Sequence, residues 1–157
     1  MTQDEIANYL RSHSAFSNLD PAHIEILVQH AQERSYAVGD MLFRQMDLAE
    51  HFFILMEGSI KVQVPAIMGP ALVVQTLEAN DILGWSWLIP PYKWAFEATA
   101  ELDSRVLVFD GKALLQHCET DYNFGYALMK MFAGLMSERL HAARIKMMDS
   151  WSPAGWA

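Results

Sequence analysis

At 157 residues, with 52% hydrophobic and 19% charged, the chain reads as one globular domain rather than a disordered segment. Its net charge of −8 comes from 11 basic and 19 acidic residues with neither sign in a long block, which disfavours general nucleic-acid binding. No run approaches the roughly 18 apolar residues of a membrane span, and Met-Thr-Gln-Asp-Glu lacks the features of a signal peptide, so a cytoplasmic location without membrane attachment is expected.

Taken in order, Thr2-Gln-Asp-Glu5 fits a capping box and predicts a helix over about 3–12, with Ile6, Tyr9 and Leu10 on its apolar face. Asp20-Pro21 predicts a second helix, with Asp20 as N-cap and Pro21 at the first helical position. Ile24, Leu27 and Val28 give it a helical stripe, and it is expected to end near Glu33. From Arg34 the pattern becomes short β-like runs between turn residues: 36–38, 41–43, 51–56, 59–64, 71–77, 96–101 and 105–109. Glu57-Gly58 between two of these runs predicts a hairpin. Many short strands with frequent turns argue for an antiparallel barrel or roll.

Asp110 is placed to cap a helix over 112–119, and a long helix is expected over roughly 122–148. Two apolar stripes run along that helix, one through Gly125, Met129, Phe132, Met136, Leu140, Ala143 and Met147, the other through Phe124, Leu128, Met131, Leu135, Ala142 and Ile145. One stripe suits the barrel and the other the same helix of a second subunit, which predicts a homodimer. The division expected is therefore 1–33 N-terminal helices, 34–110 β-roll, 111–149 C-terminal helices and 150–157 tail, all within a single domain 1–157.

The stretch Asp81 to Ala100 stands apart, because Trp85, Trp87 and Trp94 fall within ten positions broken by Gly84 and Pro90-Pro91. Rings beside turn residues exclude an ordinary strand or helix and leave two readings, an aromatic plug closing a barrel or a ligand pocket.

The order of elements, together with Tyr36-Ala-Val-Gly-Asp40-Met-Leu-Phe-Arg-Gln-Met-Asp47-Leu-Ala-Glu-His-Phe-Phe-Ile-Leu-Met-Glu-Gly58-Ser-Ile-Lys-Val62, resembles the cyclic-nucleotide-binding domain of Crp/Fnr regulators and protein kinase regulatory subunits. The resemblance covers about 16–149 and implies an α+β, mainly β fold: a jelly-roll or β-roll with N-terminal helices and a long C-terminal dimerisation helix. It also implies that Asp81 to Ala100 is the phosphate-binding cassette, whose usual form is close to Gly-Glu-Leu, a small loop, then Arg. In that cassette amides at a short helix start receive the phosphate, the arginine neutralises it, and the glutamate accepts from the ribose 2′-hydroxyl.

Aligned from Gly84, this chain places Trp85 at the glutamate position and Trp94 at the arginine position. Losing the charge-assisted pair costs roughly 2–5 kcal/mol, so ordinary high-affinity cyclic AMP or cyclic GMP binding is disfavoured. The candidate cassette residues are Gly84, Trp85, Ser86, Trp87, Lys93, Trp94, Ala95, Phe96 and Glu97, with Lys93 a possible point-charge substitute and Ser86 a candidate helix cap. On the base side the resemblance implies Ala143 and Arg144. Three readings follow: a flat or apolar ligand between the tryptophans, a ligand-free dimeric interaction module, or a weak cyclic-nucleotide binder. Each makes the chain a sensor or regulatory domain working through a small molecule or a protein partner.

An enzyme has less support. The histidines, His13, His23, His30, His51, His117 and His141, form no His-x-His or His-Glu-x-x-His arrangement, which leaves a cupin-like metalloenzyme without a ligand set. Ser86 lacks the second glycine of a nucleophile elbow. Cys118, the single cysteine, is read as a structural thiol rather than a reactive one or a haem ligand. No helix-turn-helix follows the long helix in this sequence, so direct DNA reading is not expected.

Overall fold

A computed structural model describes residues 1–151. Helix α1 (Gln3–Ser12) starts from the capping box: the Thr2 hydroxyl accepts from the Glu5 amide at 3.2 Å, and the Glu5 carboxylate accepts from the Thr2 amide at 2.6 Å. Ile6 and Leu10 bury its inner face. Helix α2 (Pro21–Gln29) has the expected proline at its start and buries Ile24, Leu27 and Val28, but the Asp20 side chain makes no capping bond. It stops four residues before the predicted end, because 31–36 pair along their whole length with a distant strand. A continuous sheet ladder outweighs a marginal helical turn.

Eight strands follow: β1 (Ala31–Tyr36), β2 (Met41–Phe43), β3 (His51–Glu57), β4 (Ile60–Val64), β5 (Leu72–Leu77), β6 (Ile82–Leu83), β7 (Glu97–Ala100) and β8 (Ser104–Asp110). They form two four-stranded antiparallel sheets, ordered β1-β8-β3-β6 and β2-β7-β4-β5. The predicted β3–β4 hairpin is therefore wrong. β3 pairs with β6 and β8, while β4 pairs with β5 and β7. Glu57-Gly58-Ser59 carries the chain from one sheet to the other, and Gly58 is required there twice over. Its φ is +101°, and a Cβ would come within 2.7 Å of the Ser104 Cα. The true hairpin is β4–β5, closed by the loop 65–71.

Between the sheets and helices lies one apolar core, with Phe16, Phe52, Phe109, Phe124 and Phe132 fully buried. The helices cover the first sheet, so β3 and β8 are buried almost throughout, whereas Leu72, Val73 and Val74 of edge strand β5 are exposed. Asp110 caps α3 (Gly111–Thr120), its carboxylate accepting from the Ala113 amide at 2.9 Å. Helix α4 (Tyr122–Trp151) is thirty residues long. Its docked face draws on both apolar stripes, taking Phe124, Leu128 and Phe132 fully and Met131, Leu135 and Met136 in part. Beyond Met136 it is largely exposed. Among the described residues, no helix is long and apolar enough to cross a membrane.

Candidate functional site

Residues 84–96 join β6 to β7 and wrap the end of the roll. Gly84 has φ +99°, and the Leu88 amide donates to the Trp85 carbonyl at 3.0 Å. A second turn follows, the Tyr92 amide donating to the Ile89 carbonyl at 3.0 Å, but the short helix start expected here is missing, and Ser86 has no helix to cap. Pro90-Pro91 is a cis pair, and Tyr92 adopts φ +55°. The chain is then tied to the loop 44–49, where Ala49 donates to the Tyr92 carbonyl at 2.8 Å, Trp94 to the Asp47 carbonyl at 3.0 Å and Met46 to the Trp94 carbonyl at 2.9 Å.

The three tryptophans have three different surroundings. Trp87 is fully buried, its ring nitrogen donating to the Gly84 carbonyl at 3.2 Å. It packs 5.4 Å from Phe52 and 5.3 Å edge-on to Phe132, with its face so close to Gly111 that a Cβ there would lie 2.7 Å from the ring. Trp94 is buried in a parallel stack on Phe43, with centroids 3.7 Å apart, and its edge covers Gly84 at 2.8 Å from where a Cβ would stand. Trp85 is only half-buried, and the Arg139 guanidinium lies over its ring at 5.0 Å.

Arg139 is the residue that sequence reasoning missed. It reaches from α4 to donate from one terminal nitrogen to the Ile82 carbonyl. Burial holds its guanidinium below the ordinary arginine range, with the negative charge of Asp81 partly opposing that effect.

Beside this contact opens a cleft of about 1180 Å³ between β5, the 84–96 segment and the outer half of α4. Of the residues expected at the site, Gly84, Trp85, Ser86, Trp94, Ala95, Phe96 and Ala143 line it. Trp87, Lys93, Glu97 and Arg144 are not among its lining residues. Lys93 is exposed, its backbone bridged to Leu48; Glu97 accepts from the Gln63 side chain at 2.7 Å; Arg144 is exposed on α4.

Other chemistry lies outside this region. Cys118 is half-buried where α3 meets α4 at Gly125, and burial pushes its thiol up, away from the nucleophilic thiolate. Among the described residues, no cluster of three or more His, Cys, Asp and Glu side chains is arranged to hold a metal.

Comparison with known proteins places this architecture. The family model for the cyclic nucleotide-binding domain matches residues 33–121. No curated protein matches the chain. Among solved structures, a protein from Geobacter metallireducens described as a candidate cyclic nucleotide-binding protein is 25% identical with a TM-score of 0.78, covering 86% of this chain and 98% of its own. The sensor domain of the transcriptional regulator DNR from Pseudomonas aeruginosa is 20% identical with a TM-score of 0.71, over 88% of this chain and 93% of its own. A cyclic nucleotide-binding domain from Methylobacillus flagellatus is 14% identical with a TM-score of 0.78, over 98% of this chain and 86% of its own. The last two likenesses speak to the fold alone. With the two sheets, the flanking helices and a family match spanning more than half of its length, the chain belongs to the cyclic nucleotide-binding domain family.

Proposed function

We propose that this domain is a dimeric sensor that works by binding rather than catalysis, and that its cleft takes an apolar small molecule instead of holding cyclic AMP or cyclic GMP tightly. The observation that carries this reading is Trp94. Where the family's cassette calls for an arginine, the chain has an indole stacked on Phe43 within the core. Trp85 stands likewise at the glutamate position, over Arg139 rather than over a ribose. A phosphate arriving at Gly84 would meet amides but no cassette guanidinium, Lys93 does not line the cleft, and the one arginine that does, Arg139, stands on α4 and is already bonded to the Ile82 carbonyl.

Dimerisation through α4 is supported by what the helix leaves uncovered away from the cleft: Tyr122 is 78% exposed, Tyr126 70% and Met129 36%. A face of that kind on a long helix suits symmetric pairing with a second copy. The same helix forms one wall of the cleft, so occupancy of the cleft changes what the dimer offers to a protein partner.

Thermal melts in the presence of cyclic AMP or cyclic GMP test the ligand side. A ligand at 100 times its Kd adds about 2.7 kcal/mol to stability, so no shift is expected at millimolar nucleotide, and a shift of several degrees would overturn the reading. Sedimentation tests the dimer: a two-chain species is expected, converted to monomer by Tyr126→Glu with Met129→Glu. A wild-type monomer at all concentrations removes that part. The packing of Trp87 and Trp94 also supports a second reading, a ligand-free interaction module. That one gains if hydrogen exchange in residues 111–149 is unmoved by every apolar compound tried.

A further inference from the structure

Arg139 carries an inference about the class of ligand, and it rests on the apolar-cleft reading above. The walls around it are mostly hydrophobic: Trp85 and Phe96 on one side, Val73 of β5 on another, and Leu140 and Met147 on α4. Polar lining is the smaller part: Gln75, Thr76, Ser86 and Ser150, with the other charged lining residues, Lys146 and Asp149, on the exposed outer turns of α4. A cyclic nucleotide would bring a ribose and a purine whose polar edges find few partners on such walls.

The guanidinium has five N–H donors, and one is used on the Ile82 carbonyl. Among the described residues no carboxylate forms an ion pair with it. Asp81 acts on it only from farther away, and its own carboxylate already accepts from the Glu78 amide at 2.8 Å. A cation partly stripped of water, without a counter-ion, at the edge of an apolar cleft is costly unless an anion joins it. Its planar fork matches a singly charged carboxylate or a cyclic phosphate equally well in two-point geometry, so the mostly apolar walls are what favour the carboxylate.

We infer that the cleft binds an amphipathic monocarboxylate, an aryl or acyl acid whose apolar body lies along Trp85, Phe96 and the outer half of α4 and whose carboxylate pairs with Arg139. Binding draws the guanidinium from the face of Trp85 towards the ligand, so the indole reports occupancy.

The experiment compares acids with the alcohols of the same skeleton, octanoate against octan-1-ol and hydrocinnamate against hydrocinnamyl alcohol, by isothermal titration with intrinsic tryptophan fluorescence. With the wild-type chain, at least one acid should bind about tenfold or more tighter than its alcohol, which is about 1.4 kcal/mol. The pair with the larger preference distinguishes an aryl from an acyl body. Arg139→Gln should bring the ratio close to one while leaving alcohol binding in place, which also shows that the variant is folded; Arg139→Lys should keep part of the preference. Equal binding of acid and alcohol by the wild type overturns the inference and leaves the apolar cleft standing, as does a preference that survives Arg139→Gln. If neither acid nor alcohol binds, the apolar-cleft reading fails and the inference falls with it.

Discussion

Trp85 and Trp87 are separated by one residue and belong to the same turn, yet they sit in opposite kinds of surroundings. Trp87 is enclosed by Phe52, Phe132 and Gly111, so it joins the 84–96 segment to a strand and to both C-terminal helices. Trp85 lies under a guanidinium, with part of its side chain packed against the core and part lining an open cleft. The difference lies in the partners rather than in the residue type. A ring opposite a glycine and two phenylalanines is structure, whereas a ring opposite a half-desolvated cation is available for exchange.

The largest expected effect tests the enclosed side. Trp87→Ala should cost about 3–5 kcal/mol, read as a lower urea midpoint at unchanged slope, because it empties a fully buried indole from the centre of the core. Gly111→Ala attacks the same contact from the other partner. A methyl group 2.7 Å from the Trp87 ring forces one of them to move, and about 1–3 kcal/mol should be lost. Trp85→Ala should cost less than Trp87→Ala, about 1–2 kcal/mol, while removing the fluorescence response to bound acid, since its ring is only partly buried against the core. If Trp85→Ala proves as damaging as Trp87→Ala, the contrast between the two is wrong.

The smallest effect lies away from both. Hydrogen bonds from the chain's amino group and from Arg105 hold the Glu33 carboxyl below its usual value of 4.5. A depressed folded-state value means that this stabilisation is present above pH about 4.5 and is lost as the pH falls through the lower, folded-state value. Glu33→Gln should therefore flatten part of the acid limb of the stability profile and leave ligand binding untouched.

What was legible in the sequence was local. Thr2 with Glu5, and Asp110 with the amide of Ala113, announce helix starts because capping involves residues three apart. The alternation of β4 was equally plain, but its partner was not. Glu57-Gly58 has hairpin composition, and only contact with Asp103 and Ser104, some 45 positions away, makes it a crossing between sheets. The cassette region was located by its cluster of rings and turn residues, although the helix expected inside it is missing. Arg139 was invisible for the same reason as the crossing: its bond to Ile82 spans 57 positions, and nothing in Ser-Glu-Arg-Leu marks that arginine from an ordinary solvated one.

Arg139 also divides α4 mechanically. Up to that point the helix is held by Phe124, Leu128 and Phe132 in the core and then by the guanidinium itself. The twelve residues from Leu140 to Trp151 continue as a rigid arm about 18 Å long, at 1.5 Å per residue. With Arg139 as the fulcrum, a tilt of about 10° moves the tip by about 3 Å. A shift of the Arg139 side chain beside Trp85 would thereby be magnified at the end of the helix.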